Sequence, residues 1–155
     1  LSPKEIETQL AEMEKPFNFD HTEQPAFSIQ IPSEYYERAP YDDNVFNAHK
    51  AFNSLTIRVN KLEEGADLSK AADTYTAYLT SIGQGAVELE QATETQLPDG
   101  TPAIDLVVKW VTKVHMAQTT QALIVHKEGF AITIGAHTEQ GSLPNKAFFD
   151  TLTFK

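Results

Sequence analysis

Three runs of alternating apolar residues, Thr101 to Met116, Gln118 to Lys127 and Phe130 to Thr138, succeed one another with only short connections between them. Alternation at a period of two puts every second side chain on one face of a strand, and tight connections force neighbouring strands antiparallel, so the pattern predicts a meandering antiparallel sheet. In the first run Ile104, Leu106, Val108, Trp110, Val114 and Met116 share a side, while Val107 and Val111 make the other side partly apolar. Glu128-Gly129, taken as a two-residue turn, pairs Val125 with Ile132 and Leu123 with Ile134. These pairs are expected on the side of Trp110, with Ala122, Ile124 and Ala131 opposite. A sheet apolar on both faces needs cover on both. The fold class expected is therefore α+β: an α/β/α sandwich with a central antiparallel sheet of about six to seven strands and helices on both faces.

The remaining elements fit around that sheet. Ser2-Pro3-Lys4-Glu5 has the form of a capping box with proline at the first helical position, and Ile6, Leu10 and Met13 follow as a narrow apolar stripe that Lys15-Pro16 ends. Phe27, Ile29 and Ile31 predict a strand stopped by Pro32, a second short strand is expected near residues 45–51, and Leu55, Ile57 and Val59 predict a third. Asp67 opens the main helix, which presents Leu68, Ala71, Ala72, Tyr75, Leu79 and Ile82 on one face. Gly83 or Gly85 is expected to supply its left-handed stop. A strand from Val87 to Leu97, a Pro98-Asp99-Gly100 turn, a short helix from about Pro144 to Phe149 and a closing strand from Thr151 to Phe154 complete the chain.

Composition excludes several activities. With no cysteine there are no disulfides, thiolate metal sites or cysteine nucleophiles. Twenty-two acidic against twelve basic residues give a net charge of −10, the reverse of what phosphate recognition needs, so no nucleic-acid partner is expected. The longest unbroken apolar run, Ala122 to Val125, is far short of the roughly 20 residues of a membrane helix, so no transmembrane segment is expected within these residues. A signal or anchor, if there is one, is expected upstream of Leu1. No Gly-x-Ser-x-Gly elbow is present, and Gly83-Gln84-Gly85 lacks the third glycine and the strand-to-helix setting of a dinucleotide loop. No catalytic residue and no cofactor is expected.

Phe27-Ser28-Ile29-Gln30-Ile31-Pro32-Ser33-Glu34-Tyr35 resembles the opening strand of PsbP-like proteins, with tyrosine where that family usually carries tryptophan. The similarity continues through Asn53 to Val59, the helix from Asp67 to Gly83, the Lys127-Glu128-Gly129-Phe130 turn and the closing Leu152-Thr153-Phe154, most of Phe27 to Lys155 in order. The resemblance implies the fold shared by PsbP-like proteins and the Ran-binding Mog family, with residues 1–20 as an N-terminal helical arm and 21–155 as one domain. It implies an extrinsic or adaptor role: photosystem assembly and stabilisation in PsbP relatives, GTPase binding in Mog relatives. Basic or cofactor-related extensions of photosynthetic members are not visible, so a bacterial cell-envelope member, exported and binding another protein, is expected.

The candidate binding residues are the aromatic and acidic positions of the long connection after Pro32: Tyr35, Tyr36, Tyr41, Asp42, Asp43 and Phe46, with Phe52 beyond them. Asp42-Asp43 could at most hold a cation weakly. His115, His126 and His137 are spaced by eleven residues on consecutive strands. The hairpin pairing sets His126 against Ala131 and His137 against Thr120, so the three do not converge and no metal site is expected, and the histidines read as solvent-facing or strand-end residues. The function expected is a noncatalytic protein-binding or assembly module. The alternative is a carrier of a small apolar ligand held between sheet and helix.

Overall fold

The computed structural model describes residues 1–13, 16–41, 43–142 and 146–155. Its elements in chain order are α1 (Pro3–Met13), β1 (Phe17–His21), β2 (Phe27–Ile31), β3 (Tyr36–Arg38), β4 (Asn44–Lys50), β5 (Asn53–Lys61), α2 (Ala71–Ile82), β6 (Gly83–Gln96), β7 (Pro102–Thr112), β8 (Ala117–Lys127), β9 (Phe130–Glu139) and β10 (Thr153–Phe154). A seven-stranded antiparallel sheet runs in the order β3-β4-β5-β9-β8-β7-β6, and β1, β2 and β10 form a separate three-stranded sheet. The architecture is α+β, as the alternating pattern predicts.

The expected meander forms. Glu128 and Gly129 both take positive φ, the tight-turn geometry that leaves β8 and β9 in phase, and Val125 pairs with Ile132 and Leu123 with Ile134. The side assigned to Trp110 is corrected. Across the Lys113–Met116 connection Leu106 pairs with Ala122 and Ile104 with Ile124, so Trp110 shares a face with Ala122 and Ile124 and not with Val125. The register of β7 on β8 is set by the turn that His115 makes at φ 64°, and a shift by one residue moves a whole apolar set to the other face.

Each face has its own core. On one, Ala71, Ala72, Tyr75 and Leu79 of α2 pack on Leu106, Val108, Trp110 and Ile124. On the other, Phe27, Ile29 and Ile31 of the small sheet meet Leu55, Ile57, Val125, Ile132 and Ile134, and Phe148, Phe149 and Leu152 close the layer from a 3₁₀ turn at Ala147–Thr151. The second cover is thus mainly the three-stranded sheet with this turn. Asp105 pins it, accepting from Lys146 Nζ at 2.8 Å and from Gln121 Nε2 at 2.9 Å. Pro144, the expected start of that helix, lies outside the described residues.

Local signals account for the ends. Ser2 Oγ accepts from the Glu5 amide at 3.1 Å, and Asp67 Oδ1 accepts from the Ser69 amide at 2.8 Å in the 3₁₀ turn that leads into α2. Residues 17–20, which fall within the expected N-terminal helical arm, form most of β1, where Phe17 and Phe19 alternate with Asn18 and Asp20 and pack against Phe46. Gly83 is no left-handed stop: its φ is −116°, and β6 begins directly from the helix.

Candidate functional site

The α2 face of the large sheet is chemically divided. Under the helix, β7 and β8 present Leu106, Val108, Ala122 and Ile124. Beyond it, β4, β5 and β9 send Leu55, Ile57, Ile132 and Ile134 to the opposite core and turn their alternate residues, among them His49, Thr56, Arg58, Thr133 and His137, to the helix side. The seam between these halves is a groove alongside α2.

Arg58 divides the groove. Its guanidinium carbon lies 3.5 Å from the centre of the Tyr78 ring on α2, in cation–π contact, and Arg58, Tyr75, Tyr78 and Thr133 line a cavity on either side. One cavity, of about 520 Å³, runs toward the Leu62–Asp67 connection and His126; the other, of about 480 Å³, runs toward Trp110 and Met116. Both lie in the size range of small-molecule sites.

A hydrogen-bonded chain crosses the floor of the smaller cavity. Trp110 Nε1 donates to Thr120 Oγ1 at 2.8 Å, Thr120 Oγ1 lies 2.6 Å from His137 Nδ1, and His137 Nε2 lies 3.0 Å from Thr56 Oγ1. An indole nitrogen only donates, so Thr120 Oγ1 accepts from Trp110 and also pairs with Nδ1, while Thr56 Oγ1 pairs with Nε2. The ring is neutral and held at both nitrogens. Burial first, and the neighbouring His49 second, push its pKa down to about 4. The space for the ring comes from Gly135, where a Cβ would stand 3.0 Å from His137 Nε2.

Three buried polar atoms in residues of this cavity have no hydrogen-bond partner: Arg58 Nε, His49 Nε2 and Asn44 Oδ1. Burial lowers the His49 pKa, with the Arg38 charge adding to it. An exposed apolar rim surrounds the opening, with Phe52 66% and Val114 73% exposed and Tyr41 beside them.

The predicted site residues divide between core and rim. Tyr35 and Phe46 are buried in the core against the small sheet, Phe46 in tilted ring contact with Phe17 and Phe19, because both point to the face opposite the groove. Tyr36 is exposed on the edge strand β3, Asp43 is exposed, Tyr41 borders the cavity, and Asp42 lies outside the described residues. Among the described residues no three metal-ligating side chains converge. Of the histidines expected to be solvent-facing or at strand ends, His115 is exposed in its turn, His126 lines the larger cavity, and His137 is buried near the end of β9. Sequence reasoning missed Arg58, Tyr78 and His49. The available signal was the polar half of β5, where Thr56 and Arg58 alternate with Leu55 and Ile57 opposite a helix carrying paired tyrosines.

No protein-family model matches the chain, and no curated protein matches it in sequence. Similarity appears in three dimensions. The solution structure of cyanobacterial PsbP (CyanoP) from Synechocystis superposes with a TM-score of 0.70 at 10% identity, covering 92% of this chain and 94% of that one. A crystal structure of a Bacteroides thetaiotaomicron protein superposes with a TM-score of 0.57 at 12% identity, covering 89% of this chain and 48% of the other. At such identities the likeness speaks of fold and not of function. The chain has the PsbP-like fold.

Proposed function

We propose that this protein is a noncatalytic binding module that holds a small amphipathic molecule in the groove between α2 and the sheet. The observation that carries the reading is the cavity of about 480 Å³ whose wall combines an apolar side, Trp110, Leu79 and Met116, with orphaned polar atoms of Arg58 and His49. Concave sites with mostly apolar walls and a few convergent polar groups are where small ligands bind, and an orphaned buried donor is a cost that a bound acceptor removes. The Thr120–His137 pair does not argue for catalysis: the hydroxyl is buried and already committed to Trp110, and a ring whose pKa is near 4 is a weak base at neutral pH. Native mass spectrometry of the full-length protein purified from its own cells should show a noncovalent adduct of a few hundred daltons. A purely unliganded spectrum would sink the reading.

A second reading, a protein-docking face, is favoured by the exposed rim of Tyr41, Phe52 and Val114 together with Tyr36, which is 56% exposed. Affinity capture from envelope extracts should then recover a partner whose retention drops when Tyr36 and Tyr41 become alanine. Under either reading we place the protein outside the cytoplasm, on the implication of its PsbP-like resemblance. Cell fractionation that finds the full-length product in the cytosol would remove that placement.

A further inference from the structure

We propose that Arg58 is a carboxylate anchor: the ligand of the smaller cavity is an amphipathic carboxylate whose anionic head meets the Arg58 guanidinium and whose apolar body lies along Leu79, Ile82 and Trp110. This rests on the small-ligand reading above and names its ligand class. The first ground is charge. The chain carries 22 acidic residues, yet among the described residues lining this cavity there is no aspartate, glutamate or lysine, and Arg58 is the sole formally charged side chain. The two histidines beside it, His49 and His137, are both held toward the neutral form by burial.

The second ground is geometry. The guanidinium carbon lies 3.5 Å over the Tyr78 ring centre, and the five N–H donors of a guanidinium lie in its plane and point outward around the edge. Arg58 takes part in none of the ion pairs among the described residues, and its buried Nε has no acceptor. A guanidinium set over an aromatic ring, outside any ion pair among the described residues and with Nε unpaired, matches a planar carboxylate, which accepts two parallel N–H bonds. The larger cavity is a poorer seat for an anion, since Glu63, Glu64 and Asp67 in its lining offset Lys61, Lys70 and Arg58, whereas no carboxylate offsets Arg58 in the lining of the smaller one.

The test compares decanoate with its uncharged isostere decanamide by amide NMR titration of the protein, following residues 52–58, 79–82 and 133–137. The wild type is expected to bind decanoate about tenfold or more tighter than decanamide, the difference one charge-assisted bidentate contact supplies. Arg58→Gln should abolish that preference, and Arg58→Lys, which keeps the charge without the fork, should fall between. Equal affinities for the two probes in the wild type, a comparison needing no variant, would overturn the anchor and leave the small-ligand reading standing. An unchanged preference in a folded Arg58→Gln protein would overturn it as well. If neither probe perturbs the cavity, both readings fall together.

Discussion

Thr120 Oγ1 lies 2.6 Å from His137 Nδ1 inside the core, and the same oxygen accepts from Trp110 Nε1 at 2.8 Å. One hydroxyl therefore satisfies two ring nitrogens on neighbouring strands. Thr120→Val keeps the shape of the side chain and leaves both nitrogens without a partner, each costing about 1–3 kcal/mol when buried. Urea unfolding should show a loss of about 2–5 kcal/mol for Thr120→Val, while Thr120→Ser, which restores the hydroxyl, should keep most of the stability.

Acid should destabilise the protein through His137. Its pKa falls from 6.5 to about 4 on folding, chiefly because the ring is buried, so the unfolded chain takes up this proton at a higher pH than the folded one does. The contribution is complete above pH 6.5, declines as pH falls toward about 4 and is flat below that, amounting to about 3 kcal/mol in all. His137→Gln lowers stability at neutral pH by losing fixed hydrogen bonds, but its stability curve between pH 6.5 and 4 should be flatter than that of the wild type. Parallel curves would remove His137 as the source.

How far the sequence reveals the molecule depends on whether a feature is periodic or spatial. The hairpin of β8 and β9 is legible because Glu128-Gly129 fixes its register, and the apolar stripe of α2 is legible because it repeats at helical spacing. The face of Trp110 is not, since it depends on how many residues the Lys113–Met116 turn absorbs. The aromatic residues after Pro32 look alike in a linear reading. Phe46 joins the core because its side of β4 meets the small sheet, and Tyr35 joins the same core while Tyr36 and Tyr41 are exposed. Arg58 shows locally only as a polar residue alternating with Leu55 and Ile57: what singles it out is the ring of Tyr78, twenty residues later and on another element.

That division can be measured. Phe46 is 2% exposed and packs on Phe17 and Phe19, so Phe46→Ala should cost about 3–5 kcal/mol of unfolding free energy. Tyr36, exposed on the edge strand, should give a Tyr36→Ala protein within about 0.5 kcal/mol of wild type. A Phe46→Ala loss as small as that of Tyr36→Ala would mean that β4 presents the other face to the small sheet.

Gly83 and Gly85 are expected to respond to alanine for different reasons and by different amounts. At Gly85 φ is +86° and nothing lies within 4 Å of an added Cβ, so Gly85→Ala meets only the left-handed backbone cost of about 1–2 kcal/mol. Gly83 has an ordinary extended φ, but a Cβ there would stand 2.5 Å from the Val111 carbonyl oxygen, 3.0 Å from the Leu79 carbonyl oxygen and 3.1 Å from Trp110 Cε3. The first two obstacles are backbone, so the junction of α2 with β6 must move away from β7, and overpacking of this kind costs about 1–3 kcal/mol or more. Leu79 and Trp110 also wall the smaller cavity, and their displacement should weaken ligand binding in Gly83→Ala while Gly85→Ala binds as the wild type does. Thermal unfolding and the decanoate titration on the two variants measure the two effects separately. A Gly83→Ala protein with wild-type stability would show that the helix does not enter the sheet at this close approach.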